Sequence, residues 1–364
     1  MMQLDSPISL IDQFCAEWTA RGAALDAETK RADVLAVQLA EALARTPKPI
    51  PPRKPFEIDR LFTPSTLSPD RHQRYIQTWS AIYSPRPSPN PRVIAASGAA
   101  DSVGFAVKDY VVAVASALDA TGDCGFLREI VSVMGVLRER MAAFVLTLTL
   151  GKDKAFVASL FAFTASLCHV NRAHDPVFAE AADYWLSQYR AIFGESVPTD
   201  DLMHSYAASV ETAWCLWLLT GEERYQVDAE TKRIELFKSI LVAEDGCATW
   251  HHRPFFARGK QEDTPNPRTT YASYIVQTMV MLNRAGLDTV PMESLAKTVL
   301  RIIRANGTIS YALDGTGDEA PSKIATRNWA LLVPYDSSGE LAKRLATAAT
   351  ANQIYIPAGL LGTG

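Results

Sequence analysis

The sequence predicts a mainly α protein whose helices pair into hairpins, as in a repeat array or a closed toroid. Three observations lead there. From Asp101 onward, apolar residues recur at helical spacing in about ten successive segments, and no run alternates as a half-buried strand does. One helix junction occurs twice. Leu118-Asp-Ala-Thr-Gly-Asp-Cys-Gly-Phe126 and Leu218-Leu-Thr-Gly-Glu-Glu-Arg-Tyr225 each pass from leucine through Thr-Gly-acid to an aromatic that opens the next helix. A longer unit also occurs twice, and helical hairpins recurring at about 40–50 residues are the mark of such arrays.

Taken in order, Ser9–Arg45 reads as a long helix or a helix pair. Leu25, Ala32 and Leu39 are seven apart, with Leu35 and Ala42 interleaved, and the stripe either packs on its own domain or self-associates. Eleven of the 21 prolines then fall between Pro47 and Pro91, a density no packed helix survives. Thr46–Pro55 has the composition of a stiff, basic polyproline-II linker. Helices are expected over Val103–Leu118, Phe126–Thr149 (nearly apolar all round, hence central), Lys154–His169 and Val177–Phe193. Asp175 caps the last of these with Pro176 at its first position. Asp200 or Asp201 caps Leu202–Leu219. Glu222–Val242, Thr270–Arg284, Met292–Arg304, Lys323–Leu332 and Glu340–Thr347 follow.

The organisation is therefore a helical segment (1–45), a Pro-rich linker region (46–94), one toroid-like domain (95–348) and a tail (349–364). In the repeated junctions glycine ends one helix in a left-handed turn and the acid favours the next N-terminus. In the longer unit, Glu244-Asp-Gly-Cys-Ala-Thr-Trp250 and Arg304-Ala-Asn-Gly-Thr-Ile-Ser-Tyr311 each place an Asp/Asn-Gly turn before a short aromatic strand, with a polar loop and a helix after it.

Composition excludes several classes. The chain has 364 residues, 48% hydrophobic and 21% charged, which rules out wholesale disorder and a fibrous protein. A net charge of -4 is far from the basic footprint of a dedicated nucleic-acid binder. The longest apolar stretches are broken by Thr and Ser, so no membrane span is expected. The first residues lack the features of a signal peptide, which points to synthesis in the cytoplasm; the final location, in a particle or outside the cell, stays open. Five widely spaced cysteines without a C-x-x-C argue for free thiols and against a disulfide scaffold or zinc ribbon.

Several clusters carry chemistry. Trp250-His251-His252-Arg253 pairs an aromatic with imidazoles and a guanidinium, a set suited to sugar stacking and carboxylate recognition. On a strand the two histidines point to opposite faces, so one of them faces a cleft. The loop Arg258–Arg268 leads to Tyr271 and Tyr274, two phenol candidates at the start of a helix. His204-Ser205-Tyr206 opens the helix after Asp200-Asp201. No phosphate-binding, dinucleotide or serine-hydrolase motif is present, and neither cofactor nor metal is expected.

On these junctions and units, residues 95–345 resemble the α/α-toroid carbohydrate-active proteins, a group that includes alginate-lyase-like polysaccharide lyases. His204-Ser205-Tyr206 is similar to their Asn-His-Ser-Tyr segment, where the His and Asn act at the substrate uronate; here Met203 stands in the place of the Asn. The resemblance implies a polysaccharide lyase working by β-elimination, with His204, Tyr206 and Tyr271 catalytic and Trp250, His251, Arg253 and Arg268 binding substrate. The competing expectation is a non-catalytic structural or binding protein on the same toroid, part of an assembly such as a virion. The N-terminal helix, the basic linker and the apolar tail Ile354–Leu361 suit docking on other subunits, so a homo-oligomer or a larger assembly is expected.

Overall fold

The computed structural model describes residues 90–257, 267–285, 292–318 and 328–352. The expected N-terminal helix, the linker up to residue 89 and the tail from 353 lie outside the described residues. The linker region ends in a helix. Asn90 accepts a hydrogen bond from the Arg92 N–H at 2.9 Å, and Pro91 occupies the first turn of α1 (Pro91–Ser97), where no N–H is needed. A short turn and a π-helical segment, Val103–Val107, then lead into α2 (Lys108–Thr121).

The apolar run Phe126–Thr149 is not the single helix its composition predicts. It divides into α3 (Gly125–Arg138) and α4 (Met141–Val145). Arg140 leaves the helical conformation, and its guanidinium donates to the carbonyls of Ile94, Ala95 and Gly98 at the end of α1. A helix C-terminus leaves carbonyls such as that of Ala95 without an intrahelical donor, and Ile94 accepts from the Gly98 N–H as well.

The centre is instead α5 (Gly151–Val170) and α7 (Met203–Thr220). Both are buried on every side, from Ala155 to Cys168 and from Met203 to Trp217, as expected of helices without a polar face. They pack on each other; α6 (Pro176–Phe193) flanks α5, and α8 (Glu223–Lys238) flanks α7. Asp175 caps α6 as expected, accepting from the Val177 N–H at 3.1 Å. The two repeated junctions share one geometry: Gly122 and Gly221 are left-handed (φ 70° and 66°) and donate to the Leu118 and Trp217 carbonyls at 2.8 Å.

Beyond α8 the expected helix gives way to a strand. Ser239 donates to the Glu235 carbonyl and accepts from the Phe255 N–H, both at 2.8 Å, which closes the helix. Ile240–Val242 (β1) then pairs antiparallel with Ala248–Trp250 (β2), with Ile240 opposite Trp250. The turns of the longer unit repeat as well. Asp245 and Asn306 accept from the N–H two residues on, at 2.9 and 3.0 Å, and Gly246 and Gly307 take φ of 79° and 82°. β2 follows the first turn, and the bridge between Ile303 and Ile309 closes the second.

The remaining helices are α9 (Thr269–Arg284), α10 (Met292–Ile302) and α11 (Glu340–Asn352). The described part of the expected Lys323–Leu332 helix is a 3-10 helix, Asn328–Tyr335. The result is a mainly helical protein with a small two-stranded sheet. All described residues belong to the unit Pro55–Gly364. Four described cysteines are free thiols, three of them buried, and burial pushes the Cys168 thiol up to about 12. No described helix is long and apolar enough to cross a membrane.

Candidate functional site

Two helix starts and one bend build the site. The α7 start is held by the segment after β2: the Met203 N–H donates to the His252 carbonyl at 2.8 Å, and Arg253 pairs with Asp201. The α9 start is held by the second unit: Thr269 donates through its N–H at 2.8 Å and its hydroxyl at 2.7 Å to the Tyr311 carbonyl. These ties bring His204, His252 and Tyr271 together. Tyr271 stacks on His204 with ring centroids 4.9 Å apart and planes at 15°. His252 lies 5.7 Å from His204 and 5.9 Å from Tyr271.

The floor is aromatic and then charged. Phe156 and Phe105 lie 5.7 and 6.3 Å from His204, and Tyr274 packs 5.3 Å from both phenylalanines. The Tyr274 hydroxyl donates to Asp109 at 3.3 Å. The Lys108 ammonium sits 5.4 Å from the Phe156 ring centre and pairs with Glu211 at 3.4 Å; Ser159 donates to the same carboxylate at 2.7 Å. Lys108 and Glu211 are both buried, a charged pair stacked under an aromatic layer.

Exposure separates the roles. Tyr271 is 39% exposed, whereas His204 beneath it is 3% exposed. Burial, reinforced by His252 and Lys152, drives the His204 imidazole down to about 3, so it is neutral near pH 7. A neutral imidazole offers one N–H donor and one acceptor, and an anion placed beside it would favour its protonation.

Of the seven residues named from the sequence, the structure brings two together. His204 and Tyr271 meet. Tyr206 is buried and turned toward α8, its ring 5.1 Å from Phe256; burial, with Glu235 and Asp228, raises its phenol. Trp250 is 1% exposed, and its indole N–H has no hydrogen-bond partner among the described residues. Arg253 serves the ion pair with Asp201, and the Arg268 guanidinium lies 5.0 Å from the ring centre of Tyr311. Of the two adjacent histidines, His252 supplies the ring beside Tyr271. The strand alternation used to separate them does not apply, because β2 ends at Trp250 and the chain bends there.

Sequence reasoning passed over Phe105, Phe156, Lys108, Asp109 and Glu211. Only the charged residues of this group left a trace, as acids and a lysine inside otherwise apolar helical patterns. Among the described residues, no group of three or more His, Cys, Asp or Glu side chains is placed to hold a metal ion. The chain matches no protein-family model, no curated protein and no solved structure.

Proposed function

We propose that the protein is an α/α toroid acting on an acidic polysaccharide by β-elimination. The observation that carries this reading is the half-exposed Tyr271 phenol stacked on a buried, neutral His204. Elimination needs a group that takes the proton α to a uronate carboxylate, a group that protonates the leaving oxygen, and a donor that holds the carboxylate. The Tyr271 hydroxyl oxygen takes the α proton while its own O–H proton passes to the leaving oxygen, so the phenol is regenerated as the C–O bond breaks and the C=C bond forms. His204 donates its N–H to the carboxylate. Phe255, Phe256 and Tyr311 are exposed, as Tyr271 is, and suit stacking on sugar rings. Short glycine-capped junctions between successive helices support the toroid.

A second reading has its own observation. Tyr206 and Trp250 are buried, and an imidazole titrating near 3 is a weak base, which favours a non-catalytic toroid that binds sugar or protein subunits within an assembly. One experiment separates the two. The full chain is incubated with a panel of uronate polymers, and unsaturated ends are followed by ultraviolet absorbance. A lyase produces them, and Tyr271→Phe slows the rate at least 10²-fold. A folded protein that binds polymers on affinity gels and cleaves none is the binding protein instead. Light scattering on the full chain and on a 1–55 deletion tests the assembly: we expect an oligomer that becomes more monomeric on deletion.

A further inference from the structure

A cavity of about 60 Å³ lies between α2, α5, α9 and the 3-10 helix. It shares no residue with the His204–Tyr271 cluster. Val112, Phe163, Leu167, Val280 and Leu331 give it an apolar wall. Into that wall are set Ser116, Asp119 and Gln277. Gln277 is 5% exposed, and its amide nitrogen has no hydrogen-bond partner among the described residues. A buried amide N–H left unpaired costs roughly 1–3 kcal/mol, so a native structure that keeps one there calls for an acceptor.

We propose that this cavity binds a small neutral ligand, a short aliphatic chain carrying one hydroxyl that accepts from the Gln277 amide. Size sets the first limit. At about 10–15 Å³ per water-sized centre the space holds roughly four to six such groups, too few for a sugar ring. Polarity sets the second. That many waters each need two to four polar partners, and the described lining offers three polar side chains among eight apolar ones. One of the three, Ser116, already donates its hydroxyl to the Val112 carbonyl at 3.0 Å. A chain with a single hydroxyl satisfies Gln277 and covers the apolar wall. Charge sets the third: the described lining holds no Lys, Arg or His to receive a carboxylate ligand.

Butan-1-ol is the probe, with butanoate as the charged control. The full chain is titrated with each while the Gln277 side-chain NH₂ signals are followed by NMR. Butan-1-ol should shift these signals saturably, and butanoate should not. Gln277→Leu, followed through a labelled Met281 methyl in the same lining, should weaken binding about fivefold, the worth of one hydrogen bond. Ala115→Phe, which fills the cavity, should abolish the shift. The proposal is overturned if butan-1-ol leaves the Gln277 signals unmoved. It is equally overturned if the shift persists in a folded Ala115→Phe variant, or if a crystal soaked in butan-1-ol shows only waters or another segment of this chain against Gln277.

Discussion

Replacing His204 by phenylalanine should remove a defined part of the protein's acid sensitivity. The imidazole is buried against Phe156, Phe105 and Tyr271, and it titrates near 3 in the folded state against about 6.5 in an unfolded chain. The folded value lies below the unfolded one, so the unfolded chain takes up the proton first as the pH falls. The associated stability is intact above pH 6.5 and is lost progressively from 6.5 toward 3. Between pH 7 and pH 5 the loss is about 2 kcal/mol, and by pH 3 it reaches about 4 kcal/mol. The first figure depends almost wholly on the unfolded value, because at pH 5 the folded imidazole is neutral whether it titrates at 3 or at 4. Asp175, Asp245 and Asp336 are held below the usual carboxylate range by hydrogen bonds, and their contributions fade only at more acid pH. Burial raises the Asp153 carboxyl, an effect of opposite sign that is present in both proteins and cancels in the comparison. Urea unfolding at pH 7 and pH 5 measures the difference. The wild type should lose about 2 kcal/mol more than His204→Phe over that interval. Equal losses would show that His204 is solvated or charge-paired in the folded state, and the neutral-imidazole reading of the site would go with it.

The charged floor makes a second test. Glu211→Gln leaves the Lys108 ammonium buried without its counter-charge and should cost about 3–5 kcal/mol, while Lys108→Met with Glu211→Leu should recover most of it in urea unfolding. Gly221→Ala should cost about 1–2 kcal/mol from the left-handed backbone alone, since a methyl there meets nothing within 4 Å. Gly307→Ala should lower the melting temperature further, because its methyl would also stand 3.1 Å from the backbone of Thr347 and Ala348. Equal effects at the two glycines would mean that α11 yields easily.

Local chemistry was readable wherever a residue acts on its own neighbours. Asp175-Pro176 opens α6, Gly122 and Gly221 close α2 and α7, and the Asp245-Gly246 and Asn306-Gly307 turns repeat, each because the responsible hydrogen bond spans only a few residues. The rule that a helix without a polar face is central holds for α5 and α7, but from the sequence it pointed to Phe126–Thr149, which divides. What the sequence left hidden depends on partners far along the chain. Arg140 ends α3 because carbonyls some 45 residues earlier accept its guanidinium. Ile240–Val242 is a strand because Ala248–Trp250 pairs with it, whereas its apolar composition alone continues a helix equally well.

The site divides along the same line. His204 and Tyr271 were recognisable as groups capable of proton transfer, but nothing in either segment says that they meet. They meet because α7 and α9 pack together, with Thr278 donating to the Ala207 carbonyl at 3.2 Å, and because both helix starts are tied to segments later in the chain, Met203 to His252 and Thr269 to Tyr311. Residue type then leaves the role undecided. An exposed histidine with an ordinary titration is a base near neutral pH, whereas the same ring under Tyr271 and over Phe156 stays neutral and serves as a hydrogen-bond donor. Tyr206 and Tyr271 show the complementary case. Two phenols at helix starts look alike in sequence, yet one is turned against Phe256 and away from water and the other is presented to it. Burial assigns the parts: with His204 neutral and Tyr206 enclosed, Tyr271 is the phenol that a ligand at this cluster reaches.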